Sequence, residues 1–67
     1  MKIQNTSMLG ACIRDARKEN NLTQTDVATA CGVGLRFIVD LENGKETCEI
    51  GKALKVINSL GLEIDLI

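Results

Sequence analysis

Few residues in this sequence could perform catalysis or bind a metal. It has no histidine, and its three cysteines, Cys12, Cys31 and Cys48, are widely spaced, with no Cys-x-x-Cys pair. The segment Gly32-Val33-Gly34 is too short to form a phosphate-binding loop. We therefore predict no enzymatic activity, metal or cofactor, and we expect Cys12 and Cys31 to be small buried apolar groups and Cys48 to lie in a loop.

The charged side chains offer a different chemistry, the binding of nucleic acid. The formal net charge of −1 argues against a protein that coats a polyanion by bulk attraction. Such binding would depend on local positive charge, for which the candidates are Arg14, Arg17, Lys18, Arg36, Lys45, Lys52 and Lys55. From the charges alone, a solvated surface of mixed sign is the simpler interpretation.

Helices must position these charges, and the clearest helix signals lie between Thr23 and Gly44. Thr23 is a typical N-cap residue, and Asp26 places negative charge at the positive end of the helix dipole. Gly32 can adopt the positive φ that ends a helix, after which a second helix can run from Leu35 until Gly44 stops it. The pattern predicts two short helices joined by a tight turn, a helix-turn-helix.

The second of these helices has an unusual outer face. The apolar positions expected to pack together are Val27, Ala28, Cys31, Val33, Ile38 and Leu41. This leaves Leu35, Arg36, Val39 and Asp40 on the outside. Apolar side chains there either contact thymine methyl groups in a major groove or are ordinary scattered surface hydrophobes. We favour the first interpretation, because recognition helices present their N-terminal turns in this way.

Two further helices flank this pair. The first begins at a predicted cap, Ser7, and ends near Asn20 and Asn21. Its inward positions are Leu9, Ile13 and Ala16. The last helix begins near Glu49 and ends at Gly61. Its predicted inward positions are Ile50, Ala53, Leu54, Ile57 and Leu60.

Arg17 falls on the inward face of the first helix, where a charge needs a partner. Glu42, near the end of the second helix of the motif, is the acid that we expect to form this ion pair. The alternative is that both side chains are solvated.

The last six residues, 62–67, alternate apolar with acidic residues and predict a β-strand. So short a strand needs a partner, and Lys2-Ile3-Gln4 is a weak internal candidate. We expect a second copy to pair with it antiparallel, which would bury Leu62, Ile64 and Leu66 between the protomers of a homodimer. The alternative is a tail that frays.

The predicted organisation is a single, mainly α domain of four to five helices. Residues 1–6 are a flexible or edge-strand N-terminus, 7–61 the helical domain and 62–67 the dimerisation strand. No apolar run reaches membrane-spanning length, and the first residues lack the apolar core of a signal peptide. We therefore expect a cytoplasmic protein.

Several motifs resemble those of the Xre/Cro family of helix-turn-helix repressors. They are Arg14-x-x-Arg17, Leu22-Thr23-Gln24, Gly32-Val33 and Leu41-Glu42-Asn43-Gly44-Lys45. The resemblance covers about residues 9 to 61 and implies a compact, lambda-repressor-like DNA-binding fold. The strand after Leu60-Gly61 is similar to that of the small HipB-type antitoxins, whose paired strands close the dimer and whose toxin is a HipA-like serine/threonine kinase.

Carried over to this sequence, the resemblance implies a set of DNA-contacting residues. They are Thr23, Gln24, Gly34, Leu35, Arg36, Val39, Asp40, Asn43 and Lys45. Arg36 could hold a guanine bidentately, whereas Asn43 and Lys45 would contact phosphates. The sequence departs from the family at Gly34, where a capping serine or threonine is common, and at Phe37, which is bulkier than usual. Asp40 could accept from cytosine N4 or repel phosphate.

These features predict a dimeric, sequence-specific DNA-binding repressor. It would occupy a palindromic operator whose half-sites lie about one helical turn, roughly 34 Å, apart. The resemblance further implies the antitoxin of a HipA-like kinase, which binds the toxin and autoregulates its operon. The alternatives are a stand-alone Xre-type repressor, of phage or housekeeping kind, and a protein-binding helical adaptor.

Overall fold

The computed structural model of the protein describes residues 2–46 and 49–66. The elements are β1 (Lys2–Ile3), α1 (Thr6–Glu19), α2 (Gln24–Cys31), α3 (Leu35–Glu42), α4 (Ile50–Ser59) and β2 (Asp65–Leu66). The prediction of a mainly helical domain is confirmed, with four helices in the described part of the chain. Cys48, Ile67 and the side chain of Leu66 lie outside the described residues.

The first helix begins earlier than the sequence predicted. Asn5, not Ser7, is the N-cap, and its Oδ1 accepts a hydrogen bond from the backbone N–H of Met8 at 2.8 Å. Asparagine and serine cap helices about equally well, so local preference could not separate the two positions. A tertiary contact favours the earlier start, because Thr6 Oγ1 donates to the backbone oxygen of Gly44 at 2.7 Å.

Gly10 lies where α1 passes closest to the end of α3. A Cβ at this position would be 2.5 Å from the backbone oxygen of Glu42 and 2.6 Å from that of Leu41. The two helices can pack at this distance only because residue 10 has no side chain.

The helix-turn-helix forms as its capping and glycine signals predicted. Thr23 Oγ1 accepts from the N–H of Asp26 at 3.0 Å, and Asp26 Oδ2 accepts from the N–H of Thr23 at 2.8 Å. This capping box begins α2, and the hydrogen bonds from Thr23, the backbone one above all, lower the pKa of Asp26. Gly32, with φ of 68°, ends α2 and lets α3 begin at Leu35.

The hydrophobic core is aliphatic and draws on all four helices. Its buried members are Ile13, Val27, Ala28, Ile38, Leu41, Ala53, Val56 and Ile57. Cys12 and Cys31 are half-buried, not fully buried as expected. Cys31 packs against the core from α2, and its Sγ lies 3.2 Å from the hydroxyl of Ser59 on α4.

The inward face of α4 was predicted wrongly in part. Ile50 is 65% exposed and Leu54 50% exposed, whereas Val56, which is not among the predicted inward positions, is completely buried. The helix carries two overlapping apolar stripes, and only one of them packs into the core. Its members are Ala53, Val56, Ile57 and Leu60. The other stripe leaves Ile50 and Leu54 at the surface.

The C-terminal strand differs from the expectation in length and in partner. Only Asp65 and Leu66 form β2, and they pair in parallel with β1 of the same chain, in the register Lys2↔Asp65 and Ile3↔Leu66. The parallel direction is possible because the whole helical domain separates the two strands in sequence. The weak internal candidate, Lys2-Ile3, is therefore the partner found in the single chain, and the burial of Ile3, which is 4% exposed, supports the pairing.

Candidate nucleic-acid interface

The first turn of α3 projects into solvent. Leu35 is 47% exposed, and the side chain of Arg36 is 83% exposed. Gly34, at the N-cap position, has an extended backbone, and a Cβ built there would meet nothing within 4 Å. This end of α3 is therefore open on its outer side, as a helix that enters a DNA groove must be.

Asp40 lies one turn further along the same face and contacts two basic side chains. Its Oδ1 is 3.2 Å from Arg36 Nε, and its Oδ2 accepts from Lys45 Nζ at 3.4 Å. Gly44 reverses the chain after α3 with φ of 79°, and the N–H of Lys45 donates to the backbone oxygen of Asp40 at 3.0 Å. The turn therefore brings Lys45 back beside α3.

Val39 and Phe37 are more covered than Leu35 and Arg36 at the start of α3. Val39 is half-buried, so only part of its side chain faces outward. Phe37 is also half-buried, packs against the hydrophobic core, and has Lys52 Nζ 5.9 Å from its ring centroid. The bulky aromatic ring thus serves packing, a point on which the sequence was silent.

Glu42 is the buried acid at the end of α3, only 3% exposed as a residue. Arg17 Nε donates to its Oε2 at 2.7 Å and Arg17 Nη2 to its Oε1 at 3.0 Å, which gives the bidentate form of the ion pair expected from the sequence. The hydrogen bond to Glu42 raises the pKa of Arg17, which therefore stays charged. Arg17 Nη1 also donates to the backbone oxygen of Leu22 at 2.9 Å.

The start of α2 is connected to this buried acid. Thr23 is exposed, but its hydroxyl is used in the capping box. Gln24 is half-buried, and its Nε2 donates to Glu42 Oε1 at 3.3 Å. The amide that the resemblance assigned to DNA is therefore already oriented by the fold, with its oxygen left to accept.

The predicted DNA-contacting residues all reach the surface. Six are exposed, namely Thr23, Gly34, Leu35, Arg36, Asn43 and Lys45, and three are half-buried, namely Gln24, Val39 and Asp40. Sequence reasoning missed several links among them and their neighbours, including the pair of Arg36 with Asp40, which the i,i+4 spacing could have indicated. Two others had no such signal. Arg14 Nη2 donates to the backbone oxygen of Glu42 at 3.1 Å, and Lys45 reaches Asp40 across a turn, so neither link has a helical spacing that the sequence could reveal.

Within residues 2–46 and 49–66, no group of three or more acidic, cysteine or histidine side chains is placed to hold a metal ion. None of the helices there has the length and apolar character needed to span a membrane. The surface formed by α3 and the turn after it offers an exposed guanidinium, an ammonium group and apolar side chains, which are the groups that read DNA bases and contact phosphates.

Comparison with known proteins agrees with this arrangement. Residues 13–67 match the family model described as helix-turn-helix. The chain is 52% identical over 66 residues to an uncharacterized HTH-type transcriptional regulator, y4mF, of Sinorhizobium fredii, covering 98% of this chain and 87% of the relative. It is also 49% identical over 37 residues to the ImmF control region 10 kDa protein of Bacillus phage phi105, covering 55% of this chain and 41% of the relative.

Solved structures of HipB have the same fold. The chain superposes on HipB in a HipA-HipB-O2-O3 complex with a TM-score of 0.86 at 25% identity, covering 100% of this chain and 94% of that one. A HipB-O1-O2 complex gives the same TM-score and identity, with 97% of its chain covered. The likeness predicted from the sequence is therefore confirmed, and this chain belongs to the Xre-type helix-turn-helix family of DNA-binding transcriptional regulators.

Proposed function

We propose that the protein is a sequence-specific repressor that occupies a palindromic operator as a homodimer. The observation that carries this proposal is the exposed first turn of α3, where Leu35 and Arg36 extend from a helix start with open space at Gly34. A repressor of this kind acts by covering DNA that polymerase needs, so binding alone suffices and no reaction is required. The cytoplasmic location expected from the sequence belongs to the same proposal.

Each surface group has a distinct role in the proposed complex. Arg36 reads a guanine through its guanidinium, and Leu35 and the outer part of Val39 contact thymine methyl groups. Apart from Asp40, the remaining predicted contacts fix the position of α3 on the DNA backbone, namely Thr23, Gln24, Gly34, Asn43 and Lys45, and Gln24 could reach a base instead of a phosphate. Because phosphate contacts release counterions, affinity should fall as salt concentration rises.

Dimerisation is proposed at the apolar stripe of α4 that the core leaves uncovered. Ile50 and Leu54 form a groove with Leu9, Ile57, Leu62 and Ile64. Leu62 and Ile64, expected from the sequence to lie between protomers, pack half-buried against the chain's own core and line this groove. A second copy packed across this groove would cover Ile50 and Leu54. The dimer would then present two α3 helices, one for each half-site of the operator.

The dimer has a direct test in sedimentation velocity. Leu54→Glu should convert the dimer to a monomer, because it places a charge in an apolar interface, while Leu54 is exposed enough for the monomer to fold. Met8→Glu is the matched control, since Met8 is 39% exposed and lies outside the α4 groove. Dimers in both variants would contradict the proposed interface.

DNA binding is tested by fluorescence anisotropy with the promoter of the protein's own gene at several salt concentrations. We expect salt-dependent binding that prefers the promoter over scrambled duplex, and loss of roughly 1 to 3 kcal/mol of base discrimination in Arg36→Ala. Lys55→Ala removes the same charge from an exposed site on α4 and should keep the preference. An Arg36→Ala variant with unchanged preference would contradict the assigned recognition helix.

The finer proposal is that the repressor is the antitoxin of a HipA-like kinase and regulates its own operon. Its support is the superposition of the whole chain on HipB in a complex with HipA. The test is co-expression with a kinase encoded beside this gene. We expect the two proteins to form a stable complex and the growth of cells that express the kinase to recover. Neither result would be seen if the protein acts without a toxin.

A stand-alone repressor is the second candidate, and one observation favours it. The relative from phage phi105 is named as a control-region protein, and neither curated relative is named as an antitoxin. Specific DNA binding in the absence of any kinase partner would support this candidate. In that case α3 would still recognise the promoter of the protein's own gene.

A further inference from the structure

Asp40 places a mostly covered carboxylate against an almost fully exposed guanidinium. The side chain of Asp40 is 20% exposed and that of Arg36 is 83% exposed, with 3.2 Å between Oδ1 and Nε. The contact is made by Nε, the guanidinium nitrogen nearest the backbone. The outer nitrogens, Nη1 and Nη2, are thereby left toward solvent.

The same carboxylate also holds Lys45, through Oδ2 at 3.4 Å. One acid therefore connects the proposed base-reading cation to a proposed phosphate-contacting cation across the turn at Gly44. An exposed ion pair of this type adds little to the stability of a fold. Near phosphates, an acid also weakens attraction to DNA of every sequence.

A benefit to base discrimination offsets that repulsion. An exposed arginine without a partner samples many rotamers, and ordering it on a base costs conformational entropy. An ion pair at Nε restricts the positions of the guanidinium and leaves Nη1 and Nη2 available to donate to O6 and N7 of one guanine. A guanidinium restricted in this way forms both hydrogen bonds with guanine and pairs poorly with the other bases.

Given the proposed function, we propose that Asp40 determines sequence specificity by positioning Arg36. It holds Arg36 for guanine readout and sets Lys45 beside it, without itself contacting a base. Removing its charge should therefore loosen sequence preference even as general attraction to DNA increases.

The test compares Asp40→Asn with the wild-type protein on duplexes selected by the wild type from a randomised pool. Affinity is measured for the selected duplex and for versions with each single base pair replaced. In Asp40→Asn we expect discrimination at the guanine position to fall by about tenfold, within the range of one bidentate contact. Binding to scrambled duplex should be unchanged or tighter, and Asp40→Glu should restore part of the discrimination.

Glu49→Gln is the matched charge control. Glu49, the N-cap residue of α4, forms an exposed pair with Lys52 at 3.3 Å that does not include Arg36 or Lys45, and its removal changes the net charge by the same amount. It should leave discrimination at every position unchanged. Thermal melting of each variant verifies that the fold is intact.

A double-mutant cycle separates positioning from direct readout. In an Arg36→Ala background, Asp40→Asn should cause no further loss at the guanine position. A further loss there, or a loss at a separate cytosine, would overturn the proposal by showing that Asp40 reads a base. Unchanged discrimination in Asp40→Asn would overturn it as well, whereas a wild type without sequence preference would overturn the proposed function itself.

Discussion

Asp40 and Glu42 are two residues apart on α3, and each contacts two basic side chains, yet burial gives the two clusters different characters. The Glu42 side chain is 1% exposed and receives a bidentate pair from Arg17, a link to Gln24 and a nearby Arg14. In the Asp40 cluster the acid is 20% exposed, and the side chains of its partners Lys45 and Arg36 are 54% and 83% exposed. An ion pair that excludes water anchors a fold, whereas one in water keeps its charges available to a ligand.

The largest expected effect comes from removing each acid in turn. Glu42→Ala leaves Arg17 as an uncompensated, mostly buried charge and should lower the free energy of unfolding by about 3 to 5 kcal/mol. Asp40→Ala should lower it by less than about 1 kcal/mol. Urea denaturation measures both, and equal losses would abolish the distinction between the clusters.

A second substitution tests whether close helix packing is needed for the buried cluster. Gly10→Ala pushes a methyl group against the backbone oxygens of Leu41 and Glu42, so α1 must move away from α3. We expect a loss of about 2 kcal/mol. Gly51→Ala is the control, because a Cβ there meets nothing within 4 Å and should not destabilise α4. Similar melting temperatures for the two variants would show that α1 and α3 tolerate a wider spacing.

An intermediate effect is expected from a third carboxylate, which is exposed yet hydrogen-bonded to backbone. The pKa of Asp26 is lowered in the folded state, so its contribution is present above the unfolded pKa and is lost as pH falls through the folded one. The melting temperature of the wild type should therefore drop more steeply in acid than that of Asp26→Asn. If the melting temperatures of the two proteins fall equally as pH is lowered, the capping box does not depend on the charge of Asp26.

The smallest effect is expected at the solvent-facing end of α3. Gly34→Ser supplies the missing N-cap, and its Cβ enters open space, so the fold should gain about 0.5 kcal/mol. Thermal denaturation measures the gain. A loss would show that the start of α3 is constrained in a way that the open space around Gly34 does not suggest.

Local signals made much of this fold predictable. Thr23 and Gly32 delimit α2 through hydrogen bonds and backbone angles within a few residues of themselves, so the sequence alone located them. The pairing of Arg17 with Glu42 followed from a charge on an apolar face. The order and type of the helices needed no knowledge of distant contacts.

The errors arose where two local solutions were nearly equal and tertiary packing chose between them. Val56 and Leu54 both continue an apolar stripe of α4, and the packing of α4 against the rest of the core, α2 included, decides which one is buried. Asn5 and Ser7 are both good caps, and a contact to Gly44 favours the first. The pairing of Lys45 with Asp40 depends on the geometry of a turn, which sequence spacing does not encode.

The pairing of β1 with β2 also has a consequence for biosynthesis. Lys2 leaves the ribosome before its register partner Asp65, so the two strands cannot pair until the segment that carries α1 to α4 has also emerged. The four helices can form and pack before that, since their contacts span shorter stretches of chain. A released chain that ends before Asp65 therefore cannot pair β1 with β2, although it contains every residue of the helix-turn-helix.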